Sequence, residues 1–329
     1  MPTESLVQRV QRVLVRYPRF DYVSDLIAEC RELSLTADEP QCMALRGSTG
    51  SGKTTLVTTY CKLFPAFDRD TGVCIPVLYL WTPSPATVER MVTVMLEALG
   101  DPAAQEGTPG AKESRLITML KACGVELIIL DDFHNLIDTE TDYVLGRVSN
   151  WLKALIKRTA TPVLVVGLDG KVQRVLQSNS ELSRLFAVRE TLDAFAWEDS
   201  NTDLASFVDY VEKGSDIKFC PGMSRLELRK RMGYATNGVV GNLMNLMRYG
   251  VVLAARKKTN IVGPEMLAVA FQRRLSEHLP GKSNPFLIAE NVSFEVPVEK
   301  KSSDPVESVG KRGKGRGKRG PSASSVLKA

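Results

Sequence analysis

The segment from Gly47 to Thr54 reads GSTGSGKT, a full match to the pattern G-x-x-x-x-G-K-[ST]. Its glycines let a backbone fold tightly enough to aim successive N–H groups at phosphate oxygens. Lys53 supplies a point charge for β and γ phosphates, a helix opening at this point adds partial positive charge, and the Thr54 hydroxyl suits a magnesium ion. The expected nucleotide-binding set is Gly47, Ser48, Thr49, Gly50, Ser51, Gly52, Lys53, Thr54 and Thr55, with ATP and Mg2+ as the cofactors. A glycine-rich turn with a coincidental Lys-Thr is the alternative, but an apolar run (CMALR) precedes the loop and a helical run (KTTLVTTYCKLF) follows it. Further along, LIILDDFHNL sets Asp131 and Asp132 at the end of an apolar strand. Asp131 stands where a carboxylate orients magnesium through water, and Asp132 where a base polarises the attacking water. Many such ATPases carry Glu at the second position. Asp is one methylene shorter, and a reactant displaced by about 1 Å costs roughly two orders of magnitude in rate, so slow hydrolysis is expected.

These residues need a scaffold, and the hydrophobic pattern supplies one. Strand-like runs at 42–46, 73–81, 126–130 and 162–167 alternate with helical runs at 53–64, 85–99, 114–123 and 143–158. Such alternation predicts a parallel sheet covered on both faces, an α/β fold. Beyond 197 only helical periods remain, at 200–213, 224–236, 239–257 and 264–278. The expected organisation is a helical lead-in over 1–40, an α/β core over 41–197, a small all-helical lid over 198–280, a linker segment over 281–299 and a basic tail over 300–329. The tail cannot bury enough surface to offset its ordering entropy and is expected to be disordered alone.

Composition narrows the class of protein. The 329 residues are 43% hydrophobic and 25% charged, which excludes a fibrous or wholly disordered chain. The net charge of +5 is unevenly placed: from Lys300 onward nine basic residues face two acidic ones, so the tail carries +7 and the rest −2. Charge alone therefore does not make the body a nucleic-acid binder. Six cysteines without a CxxC pair read as reduced, buried residues, and two histidines exclude a multi-histidine metal site. No run approaches the roughly 20 apolar residues that a membrane helix needs, so a cytoplasmic protein is expected.

Taken in order, GSTGSGKTT, KACGVELIILDDFHNLID, VLVVGLDG, ELSRLFAVRE and ATNGVVGNLMNL resemble the AAA+ transposition regulators TniB and TnsC, and DDFHNL is especially similar to the DE(x)HNL signature of TniB. The resemblance implies an AAA+ P-loop NTPase with a C-terminal helical lid. It also implies a bacterial, DNA-associated homo-oligomer, a ring or filament on target duplex DNA. Such a protein selects the insertion site and recruits a transposase, with a target-selector protein of the TniQ type as a further partner. Lys53, Thr54 and Asp131 match the family's nucleotide and metal positions and Asp132 its catalytic acid. His134 and Asn135 match a pair that positions the strand-end loop. Arg184 fits the arginine finger offered to a neighbouring subunit's ATP, with Arg189 as runner-up. The γ-phosphate sensor is frequently Thr or Asn; here the segment is Gly167-Leu168-Asp169, leaving Asp169 as substitute. The lid sensor is frequently Arg, but Asn242 follows Gly241, with Arg248 as a more distant replacement.

DNA contacts implied by the resemblance fall on the 100–122 insertion, where the cations are Lys112, Arg115 and Lys121. Solvated helix charges would look the same. In the tail, Lys311, Arg312, Lys314, Arg316, Lys318 and Arg319 alternate with glycine, a pattern that can follow a phosphate backbone without reading bases. A solubilising tail or a protein-binding segment is the alternative. Two further readings stay open: a nucleotide-bound adaptor with little turnover, and a relative of replication initiators or helicase loaders.

Overall fold

Ser5 starts the first helix, α1 (Leu6–Arg12), through a reciprocal capping box with Gln8, and Pro18 opens α2 (Pro18–Ser34) at a position where a missing N–H costs nothing. There follow β1 (Met43–Arg46), α3 (Lys53–Cys61), a hairpin of β2 (Phe67–Arg69) and β3 (Gly72–Cys74), β4 (Val77–Trp81), α4 (Val88–Ala98), α5 (Pro109–Ala122) and β5 (Leu127–Asp131). A short 3-10 turn over Phe133–Ile137 leads into α6 (Asp142–Thr159), β6 (Val163–Gly167), α7 (Asp169–Gln177), α8 (Ser180–Leu185) and β7 (Val188–Thr191). The C-terminal part comprises α9 (Asp203–Ser215), β8 (Lys218–Phe219), α10 (Arg225–Thr236), α11 (Val240–Arg256), β9 (Ile261–Val262) and α12 (Pro264–Arg274). The computed structural model describes residues 5–13, 15–70, 72–137, 141–196 and 203–288.

The main sheet has the order β4-β5-β6-β1-β7, and every pairing in it is parallel. Because side chains alternate across a strand, each central strand feeds two cores. Met43, Leu45, Ile129 and Val166 join the core shared with α2 and the C-terminal helices, while Ala44, Ile128, Leu130 and Val165 join the core under α4 to α8. The strand that precedes the phosphate-loop motif thus lies inside the sheet, between β6 and β7, and its C-terminal end is held rigidly.

Several boundaries differ from the sequence expectations. The strand expected over 73–81 is interrupted at Pro76, which cannot donate to a ladder, and splits into β3 and β4. Thr108 caps α5 through Ala111 N and moves its start forward from 114. The fifth strand, β7, carries the half-buried sequence VRET and has no apolar run to betray it. The lid is not all-helical, because β8 and β9 form a two-residue parallel pair. The start of the expected linker docks on the lid: Asn284 donates to Ala268 O at 2.8 Å, Phe286 is buried, and Arg231 donates to Pro285 O at 2.6 Å and Ile288 O at 2.8 Å. The lead-in is also divided, since α1 packs on α9 and α11 whereas α2 packs on α3. All six cysteines are unpaired and only Cys61 is not buried; burial pushes the Cys42 thiol up to about 12.

Lid and core meet at a crowded turn. Gly238 has φ +67°, and a Cβ there would lie 2.0 Å from Phe195 O, while Phe195 N donates to Gly238 O at 2.8 Å. Gly238→Ala is expected to destabilise the fold by about 2–3 kcal/mol, from the left-handed backbone and the backbone clash together. Urea unfolding monitored by circular dichroism measures this; an unchanged midpoint would contradict the crowding.

Candidate nucleotide-binding and hydrolysis site

The glycine-rich loop connects β1 to α3. At Gly47, φ is +149° and a Cβ would lie 2.4 Å from Leu192 O, so no other residue fits without displacing the chain after β7. Ser51 is fully buried and Lys53 is 9% exposed. The Lys53 ammonium donates to Gly47 O at 2.9 Å, Ser48 O at 2.7 Å and Ser51 Oγ at 3.3 Å, which folds the loop around the charge. Burial pulls its pKa below the ordinary lysine value, opposed by the charges of Asp131 and Asp132. Thr54 and Thr55 open α3 with exposed side chains.

Both carboxylates stand at the C-terminal end of β5. Asp131 is 1% exposed. Its Oδ2 accepts from the Tyr79 hydroxyl at 3.0 Å and its Oδ1 from Asp132 N at 2.9 Å. Burial, with Asp131 beside it, raises the Tyr79 pKa above the usual phenol value, so the phenol stays a donor. Asp132 adopts φ +50°, and its Oδ2 accepts from Trp81 Nε1 at 2.8 Å. Tyr79 and Trp81 were not singled out from the sequence. They lie two residues apart on β4 and so share one face, and the parallel register pairs Trp81 with Asp131. Asn135 Nδ2 donates to Thr82 O at 2.8 Å and ties the turn after β5 to the end of β4.

A cavity of about 520 Å³ runs from the loop toward the lid. Its polar end is formed by residues 49–55 with Asp132, His134, Gly167 and Leu168; its apolar end by Val13, Val15, Tyr17, Phe20, Phe207 and Met244. Tyr17 meets Phe195 and Phe207 edge-on, with centroids 4.9 and 5.9 Å apart. The apolar wall is assembled from both ends of the chain, and no local sequence pattern marks it. The lid closes the other side, where Gly241 N donates to Gly50 O at 2.8 Å. Asn245 and Arg248 are the polar residues that α11 adds to the wall.

The remaining candidates sit elsewhere. Asp169 lies outside the cavity wall and pairs with Arg46 at 2.8 Å. Asn242 Nδ2 donates to Thr236 O at 3.2 Å, helping to close the end of α10. Arg184 is on the surface, held by both oxygens of Glu39. Arg189 donates to Phe186 O at 2.8 Å and to Ser183 O at 2.7 Å, which satisfies carbonyls near the end of α8. Arg115 is not a free cation: it bonds Asp101 at 2.6 Å and Ala103 O at 2.6 Å and so braces the turn between α4 and α5. Lys112 donates to Thr93 Oγ1 at 3.2 Å, and Lys121 is exposed. Lys311, Arg312, Lys314, Arg316, Lys318 and Arg319 lie outside the described residues.

A family model described as "Bacterial TniB protein" matches residues 8–196. The chain belongs to the TniB family. No curated protein matches it. In fold, this TniB-family chain is similar to the Aeropyrum pernix ORC1 protein in complex with DNA, at 17% identity and TM-score 0.56, over 82% of this chain and 70% of that one. It is similar as well to Cdc6p from Pyrobaculum aerophilum, at 14% identity and TM-score 0.58, over 86% and 73%. A third similar structure is the Aeropyrum pernix ORC2 protein in ADPNP-ADP complexes, at 11% identity and TM-score 0.58, over 84% and 74%. At such identities the likeness carries the fold alone, an AAA+ P-loop architecture. Among the described residues of the TniB-family chain, no single helix is long and apolar enough to cross a membrane.

Proposed function

We propose that this TniB-family protein is an ATPase that binds ATP between core and lid, assembles as a homo-oligomer on duplex DNA, selects an insertion site and recruits a transposase. The observation that carries the reading is the meeting, in one cavity, of the Lys53 loop and the Asp132 carboxylate, with Asp131 buried directly behind. The loop N–H groups and Lys53 bind the β and γ phosphates. Thr54 and Asp131 are hard oxygen donors and fit a magnesium ion, which supplies charge neutralisation at the phosphates. Asp132 takes a proton from the attacking water, and the products are ADP and inorganic phosphate. Val13, Val15, Tyr17 and Met244 give the base an apolar slot.

Arg184 is the side chain offered to the neighbouring subunit's γ-phosphate. Its side chain is 62% exposed and would have to leave Glu39 on assembly. Asp169 and Asn242 are weak sensor candidates because both are held elsewhere, and Arg248 is the lid cation that reaches the cavity. It stands seven residues along α11 from Gly241, roughly 10 Å by helical rise, and so serves the end of the nucleotide away from the loop. Lys112, Lys121 and the tail cations from Lys311 to Arg319 are the proposed DNA contacts, with a TniQ-type protein as a further partner. The DNA complex of the Aeropyrum pernix ORC1 protein supports DNA as the ligand of such a fold. A second reading, an adaptor with little turnover, is favoured by the Trp81 hydrogen bond that restrains Asp132.

Negative-stain electron microscopy of the protein with duplex DNA tests assembly. Rings or filaments are expected with ATP or a non-hydrolysable analogue and not without nucleotide. Equal assembly in both samples would remove ATP from the mechanism.

A further inference from the structure

Beside the nucleotide cavity, and sharing Asn245 and Arg248 with it, lies a second cavity of about 400 Å³ between α1, α11 and the end of α12. Its lining carries three arginines, Arg248, Arg273 and Arg274, together with His278, and no carboxylate. Among the described residues none of the three guanidiniums forms an ion pair. Arg248 Nε is buried and has no hydrogen-bond partner. Two of the arginines are oriented by one side chain: Arg273 donates to the Tyr249 hydroxyl at 2.9 Å, and the Arg274 guanidinium lies 4.6 Å from the Tyr249 ring centroid. Clustered like charges repel, and a bound anion would relieve that repulsion. Among the described residues, three arginines thus converge on one hollow with no carboxylate in its lining.

We propose that this cavity is a second anion site, distinct from the glycine-rich loop, which binds the phosphoryl groups of a small free polyphosphate-type ligand. Guanidinium forks match phosphate oxygens in pairs, and three of them suit a group carrying at least two negative charges better than a single carboxylate. The cavity is concave and within the volume range of small-ligand pockets, whereas a duplex presents a convex surface that cannot fill it. Gln11 and Asn245 add neutral donors at its wall. Because Arg248 lines both cavities, any effect of a ligand here on nucleotide affinity in the first cavity is matched by an equal effect in return.

The test uses inorganic pyrophosphate and isothermal titration calorimetry on the full chain carrying Lys53→Ala, so that the loop does not compete for the probe, at about physiological salt. One pyrophosphate per chain is expected to bind, and adding Arg273→Ala with Arg274→Ala should weaken it at least tenfold. Both arginines are exposed, and thermal melting checks that the variant remains folded. In a chain with Lys53 intact, the same pair of substitutions should leave ATP bound at the loop, so a failure of the second site is distinguishable from a failure of the first. No detectable pyrophosphate binding to the Lys53→Ala chain, or equal affinity in the triple variant, overturns the proposal. Displacement of the probe by a short duplex at equal phosphate concentration also overturns it, because the site would then belong to a nucleic-acid backbone.

Discussion

Lys53→Ala is expected to weaken ATP binding by about 30- to several-thousand-fold, the range for removing one partner of a buried charged contact at about 2–5 kcal/mol. Lys53 is 9% exposed, and its ammonium is enclosed by three loop oxygens. Deleting it removes both the charge that meets the phosphates and the anchor of the loop. Fluorescent-nucleotide titration reads the first effect, and thermal melting separates it from the second. Nucleotide-dependent assembly on DNA should disappear together with binding. If the variant retained wild-type affinity, the loop would not be the phosphate site, and the proposed function would fall with it.

Asp132→Asn is expected to lower the turnover rate by about 10²- to 10⁴-fold, the usual contribution of a positioned general base, while ATP affinity stays near wild type. Asparagine is the informative replacement because residue 132 has φ +50°, a left-handed conformation that asparagine adopts at lower cost than alanine. Phosphate release under saturating ATP measures the effect. Undiminished hydrolysis by the Asp132→Asn chain would show that another group activates the water. Trp81→Phe supplies the complementary result. The indole N–H occupies one Asp132 oxygen at 2.8 Å, and removing a hydrogen bond worth about 1 kcal/mol should raise basal turnover roughly fivefold.

The sequence motif located the loop and both carboxylates because their chemistry depends on adjacent residues: Gly47 to Thr54 is one turn, and Asp131 and Asp132 are one strand end. The partners of those carboxylates were not legible. Tyr79 and Trp81 reach them only because β4 lies beside β5, and strand adjacency is a property of the sheet. For the same reason β7 escaped notice, since VRET gains its place from pairing with β1 and not from apolar content. Arg115 and Arg189 looked like available cations in the sequence. Only the folded chain shows that Asp101 and the carbonyls near the end of α8 already hold them.

The helix α1 lies on α9 and α11, and the polypeptide crosses back to the sheet before α2 begins. Core and lid are consequently joined by two covalent straps, one between α1 and α2 and the other between β7 and α9. A body tied at two points can swing readily only about the line through them, as a door does about two hinges. The first strap carries Val13 and Val15, part of the apolar wall of the cavity. If the C-terminal helices swing on these straps, they pull on the residues that would grip the base, and a label fused before α1 would travel with them.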